Sequence, residues 1–138
     1  LGESMKKFYV FIGFLLFLGF VVFLVIQSMA SKQEKEIALL KIEPINLIYV
    51  EDGIYYGETD TTFVKVKVNV EVRDHKIIKI ELLEHQNGFG KNGESVISEM
   101  EKNNSIDVSN VSGATNSSIA IWYAVAEALK KGLRSDIE

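Results

Sequence analysis

Ser112-Gly113-Ala114-Thr115-Asn116-Ser117-Ser118 carries a hydroxyl or an amide at five of seven positions and leads straight into an apolar run. Such a turn at a helix start presents unpaired backbone N–H groups and the positive end of the helix dipole, which together suit a phosphate. Gly113 and Ala114 remove the bulk that would hold an anion away from the backbone. Thr115 then stands where its oxygen could hydrogen-bond a phosphate or be esterified by one. The same residue types also make plain helix caps, so capping and anion binding both stay open from the residues alone.

Little else in the chain has the makings of a reactive site. His75 and His85 are too few and too isolated from one another for a metal centre. No Ser, His and Asp stand in an order that suggests a triad, since the serines fall mostly in caps and loops. Glu81 and Glu84 sit on a solvated strand end, so acid–base catalysis has no site and no catalytic residue is assigned. A nicotinamide fingerprint, G-x-G-x-x-G after a strand, is missing, which ranks a small reductase with its own substrate lowest. With no cysteine there is no disulfide, no thiol chemistry and no thiolate-held iron–sulfur cluster. Beyond Ala30 the chain has thirteen Lys and Arg against eighteen Asp and Glu, a balance of about −5 that argues against nucleic acid.

The elements that must position the Ser112–Ser118 turn divide sharply into a membrane segment and one small domain. Leu1 to Ser4, before Met5, reads as a cloning remnant. Phe8 to Ile26 runs nineteen residues without a charge, roughly 28 Å as a helix, close to the hydrocarbon thickness of a bilayer. Residues 5–30 are therefore read as a transmembrane signal anchor, with Ser28-Met29-Ala30 offering an alternative cleavage site. Lys6 and Lys7 should stay cytoplasmic, placing the rest of the chain on the extracytoplasmic side of a single-pass cell-membrane protein. Six phenylalanines from Phe8 to Phe23 recur every third residue, so their rings spiral round the helix and make no single face for a partner.

Residues 31–45 read as a juxtamembrane stalk that continues the helix until Pro44, the single proline, stops it. Asn46 to Val50 and Ile54 to Glu58 read as short strands about a Glu51-Asp52-Gly53 turn. Val64, Val66, Val68, Val70 and Val72 alternate with polar residues and mark a strand with one buried face. After a two-residue turn at Asp74-His75, Ile78, Ile80 and Leu82 are expected to complete the buried face of a hairpin. Gly88 to Gly93 reads as a flexible loop, and Glu94 to Lys102 as a short helix burying Val96, Ile97 and Met100. The last helix should run from Ser117 to about Lys131, with Ile119, Trp122, Val125, Ala126 and Leu129 as its core stripe. The fold class is α+β: an N-terminal transmembrane helix, then a small antiparallel-sheet domain with two packed helices.

Val111 to Ser118 resembles the signature of the FMN-binding domain family, which includes flavin-bearing subunits of sodium-pumping quinone reductases and Rnf-type complexes. Asp52-Gly53-Ile54-Tyr55-Tyr56-Gly57 is similar to that family's opening D-G-x-Y-x-G, and Val70 to Ile77 to its central strand-turn-strand. The likeness runs from about Asp52 to Leu133 and implies an FMN-binding domain over residues 46–135. It implies that FMN is the cofactor, held at Ser112, Gly113, Ala114, Asn116, Ser117 and Ser118. It also implies that Thr115 carries FMN through a phosphoester installed from FAD by a Mg-dependent flavin transferase. Tyr55, Tyr56, His85 and Phe89 are the candidates for the wall around the flavin ring. Two positions depart from the pattern: Ser109 stands where the motif usually has Asp, and His85-Gln86-Asn87-Gly88-Phe89-Gly90 replaces H-x-E-T-P-G. The first departure leaves covalent attachment open. The expected function is electron transfer by an anchored flavoprotein domain, a carrier more than a complete enzyme. Its implied partners are the bilayer, the flavin transferase and a membrane redox complex or dehydrogenase. The rival expectation is a flavin-free or reversibly FMN-binding accessory module of a membrane complex.

Overall fold

The computed structural model describes residues 2–86, 91–109 and 112–134. The chain forms two compact units, residues 1–34 and 35–138. The first is the greater part of helix α1 (Gly2–Leu39), whose most apolar 18-residue window has a mean hydropathy of 2.9 and no buried residue. By length and composition α1 can cross a bilayer, and a signal sequence would share both properties. The helix stops at Leu39, five residues before Pro44, and not at the proline as expected. The following residues leave the helical path to lay Ile42, Ile45 and Leu47 against the core of the second unit. Asn46 to Val50 is not a strand either. Asn46 Oδ1 accepts the Ile48 N–H at 3.1 Å and caps a 3-10 turn over Leu47–Tyr49.

The second unit is built on a three-stranded antiparallel sheet, β1 (Gly53–Asp60), β2 (Lys65–Arg73) and β3 (Lys76–Gln86), in that order. β2 behaves as its alternation demands: Val66, Val68, Val70 and Val72 are all buried on one face. Asp74 and His75 both take positive φ, 50° and 60°, the two-residue turn whose twist matches a hairpin. β3 departs from the simple period. Val72 pairs with Ile77, Val70 with Ile80, Val68 with Leu82 and Val66 with His85, through two register shifts. The extra residues are Ile78 and Leu83, each 49% exposed, so Ile77 and not Ile78 joins the buried face. Each bulge flips the inward parity once, which is why a strict period-two reading misplaces Ile78.

Helices α2 (Ser95–Asn103) and α3 (Thr115–Lys130) complete the domain, so the architecture is α+β. α2 buries Val96 and Met100, and Asn104 ends it in the left-handed region at φ 49°. Asn104 Oδ1 then accepts the Ile77 N–H at 2.7 Å, tying the helix end to the hairpin. α3 begins two residues earlier than expected and is rolled about its axis. Of the expected stripe, Val125, Ala126 and Leu129 are buried while Ile119 and Trp122 are half-buried at the flanks, and Ala120, Ala124 and Ala128 are fully buried as well. Small residues at four-residue spacing let the helix backbone descend onto β1 at Gly57. A methyl on Gly57 would overlap the Ala124 carbonyl oxygen and stand 2.8 Å from the Ala128 nitrogen.

Gly57→Ala should therefore cost about 3 kcal/mol, because helix and strand must separate to admit one methyl. Gly113→Ala, strained in φ at +78° but facing open space, should cost only about 1 kcal/mol. Thermal unfolding of the detergent-solubilised chain, followed by the fluorescence of its single tryptophan, distinguishes the two. Equal losses would contradict the close approach at Gly57.

Candidate functional site

The N-terminal turn of α3 is where the residues singled out in the sequence come together. Ala114 occupies the N-cap with φ −134° and ψ 33°, and among the described residues no side chain caps the helix. The ladder opens with the Ser118 N–H donating to the Ala114 carbonyl at 2.9 Å, so the N–H groups of Thr115, Asn116 and Ser117 precede it. A cluster rich in Ser, Thr and Asn thus stands at a helix start without acting as its cap. Gly113 adopts φ +78°, the left-handed conformation that a glycine adopts without strain, and nothing lies within 4 Å of where its Cβ would be.

The seven residues divide into two sets. Ser112, Gly113, Thr115 and Asn116 are exposed. Ala114, Ser117 and Ser118 are buried, at 5%, 2% and 0% exposure. Ser118 Oγ donates back to the Ala114 carbonyl at 2.9 Å, and Ser117 turns toward the sheet. The open set offers a threonine hydroxyl, an amide and uncapped N–H groups on a small-residue turn, a donor set that fits a phosphate.

Behind the turn stand residues that sequence reasoning did not join. Thr59 and His85 flank Val66 across the sheet, and all three face α3. Thr59 Oγ1 donates to the Ala120 carbonyl at 2.8 Å. The His85 side chain is 2% exposed; its Nδ1 lies 2.8 Å from Glu94 Oε1 and its Nε2 3.3 Å from Ser117 Oγ. A carboxylate only accepts, which assigns a proton to Nδ1; in the neutral ring Nε2 then accepts from the serine. Glu94 ends a 3-10 turn (Lys91–Glu94), where a loop was expected, and Gly93 of that turn packs on α3. A Cβ there would stand 2.8 Å from Ser117 Cβ. No sequence signal brings His85, Glu94 and Ser117 together, because they belong to three separate elements and meet only through the Leu83 bulge.

The proposed ring-wall residues are dispersed. His85 lies beside the turn but buried, with both ring nitrogens engaged. Tyr55 points inward near the far end of α3, pairing with Val70 and donating to the Glu51 carbonyl at 2.9 Å. Tyr56 lies on the opposite face of the sheet, donating to Glu58 Oε2 at 2.6 Å beneath Lys131. Both phenols are held above the usual tyrosine range, Tyr55 chiefly by desolvation and Tyr56 chiefly by its bond to the Glu58 carboxylate. Phe89 falls outside the described residues.

A family model described as the FMN-binding domain matches residues 62–130. The matched span covers half of the chain. It takes in β2, β3, α2, the Ser112–Ser118 turn and all of α3, and leaves the Asp52–Gly57 segment outside. No curated protein and no solved structure matches the chain. With half its length matched, over the elements that build the turn, this chain belongs to the FMN-binding domain family, and FMN is its cofactor.

Proposed function

We propose that the protein is a single-pass membrane anchor carrying an extracytoplasmic flavin domain that relays electrons, with the FMN phosphate seated at the N-terminus of α3 and esterified to Thr115. The observation that carries this reading is the uncapped, open start of α3, with Thr115 as its exposed first residue. Attachment joins Thr115 Oγ1 to the FMN-side phosphorus of FAD. The pyrophosphate P–O bond breaks, AMP leaves, and a flavin transferase takes up the hydroxyl proton. Ser112, Gly113 and Asn116 line the exposed side of the phosphate, while Ala114, Ser117 and Ser118 hold the turn from within. Bound FMN supplies the redox chemistry, and the protein contributes position and potential. Linkage through the phosphate leaves the ring system chemically free and prevents cofactor loss where free FMN is dilute. Lys6 and Lys7 before the apolar run support the orientation. A membrane dehydrogenase or redox complex would be the electron donor.

A second reading, reversible FMN binding in an accessory module, is favoured by one specific feature. Ser109, in the place of the usual aspartate, is exposed and brings no carboxylate to the approach.

Intact mass after co-expression with a flavin transferase is the deciding measurement. The chain should gain the mass of one FMN phosphoester, and Thr115→Ala should abolish the gain entirely. A Thr115→Ala protein that keeps its flavin through denaturing electrophoresis would place the linkage elsewhere. Restoring the carboxylate with Ser109→Asp should raise the labelled fraction in a side-by-side reaction. Colour that washes out of the native sequence on denaturation would favour the reversible reading.

A further inference from the structure

The reading above makes no chemical use of the buried His85, whose ring joins Glu94 on one side to Ser117 on the other. Neutral His85, with its Nδ1 proton directed at Glu94, accepts the Ser117 hydroxyl proton at Nε2 and holds that proton inward. A protonated ring donates from both nitrogens, so Ser117 Oγ must then accept, and its own proton turns to another acceptor. Ser117 is the third residue of α3, and its N–H is one of the three that precede the helical ladder. We propose that His85 is a positioning residue for the FMN phosphate: through Ser117 it fixes the first turn of α3, and on protonation it releases one hydroxyl donor toward the anion. The inference rests on the proposed seat of the phosphate at this turn.

Among the described residues, Glu94 is the charged group whose bond to the ring the structure gives, at 2.8 Å from Nδ1. Across β1, β2 and β3, Lys67 and Glu84 pair with each other at 2.6 Å, and Lys65 pairs with Asp60 at 3.3 Å. These four alternate with the buried residues and belong to the other face of the sheet. From α2, Glu101 is taken by the Ile80 N–H at 2.7 Å and Glu99 is exposed. α3 contributes no charged residue from Thr115 to Ala126.

The test uses the full chain in detergent, expressed without flavin transferase, and follows quenching of flavin fluorescence between about pH 5.5 and 8, where an imidazole changes charge. FMN and riboflavin, which lacks the phosphate, are titrated against the native sequence, His85→Gln and Ser117→Ala. The phosphate's own second ionisation near pH 6 affects every protein alike, so only differences between profiles count. FMN affinity of the native sequence should rise about threefold to tenfold more on acidification than that of either variant, as expected for one added hydrogen bond. Riboflavin binding should show no such difference. Preference for FMN over riboflavin with identical pH profiles in all three proteins would overturn the positioning role alone. Equal affinity for FMN and riboflavin throughout would instead remove the phosphate seat and the inference with it. If His85→Gln fails to fold, Ser117→Ala carries the same comparison.

Discussion

The backbone of α3 lies directly on the sheet, and that single contact fixes where the helix can begin. Gly57 on β1 has no Cβ, and Ala120, Ala124 and Ala128 keep the facing side of the helix thin. A second glycine, Gly93, performs the same service near the N-terminal end, against Ser117. Two side-chain-free contacts near opposite ends leave α3 little freedom to slide or lift. Close-packed interiors transmit displacements and do not absorb them, so a shift at Gly57 would be felt at Thr115. The placement of the α3 N-terminus, the proposed phosphate seat, is thus set some three turns away from it.

Bulges in β3 do comparable work on the other side of the turn. With strict alternation from Ile80, the residues facing α3 would be Leu82, Glu84 and Gln86. The extra residue at Leu83 reverses the parity, so His85 faces inward and Glu84 outward. The bulge thus sets against the helix start a histidine, which can donate or accept, in place of Glu84. Outside, Glu84 meets Lys67, and that neighbour draws its carboxyl below the ordinary range while raising the lysine. One inserted residue therefore sorts the charges as well as the shapes.

How much of this was legible follows from which forces are local. The valine alternation from Val64 through β2, the Asp74-His75 turn and the uncharged run of α1 are each dictated by neighbours in sequence, and each appears in the structure. The Ser112–Ser118 turn was legible as a helix start, and the resemblance to the FMN-binding domain family rested on it together with Asp52–Gly57 and Val70–Ile77. What the residues hide is set by tertiary contact. The roll of α3 about its axis answers to Gly57, more than sixty positions upstream. The two bulges of β3 have no signature in a chain where Ile78 and Leu83 read as ordinary strand residues. Tyr55 and Tyr56 show the same limit, since adjacent strand residues must point to opposite faces and cannot both border one site. The sorting of hydroxyls into exposed Ser112 and Thr115 and buried Ser117 and Ser118 likewise needs the packed helix.

The electrostatics of the domain bear on how a flavin nucleotide would be kept. Residues beyond Ala30 sum to about −5, and FMN brings a further phosphate charge of like sign. Screening confines the general repulsion to roughly 8 Å at physiological salt, and the helix dipole acts only over its first turn. The attraction at α3 is therefore local and modest, near 1 kcal/mol for the dipole itself. The described residues of the turn, 112–118, include no lysine or arginine that could add a formal charge to it. A non-covalent phosphate held by neutral N–H and O–H groups alone, in an acidic domain, would exchange readily with solvent. The proposed phosphoester at Thr115 would remove that weakness, since retention would no longer depend on the strength of the grip. Under that proposal the turn would have only to orient the phosphate, which neutral donors on a rigid helix can do.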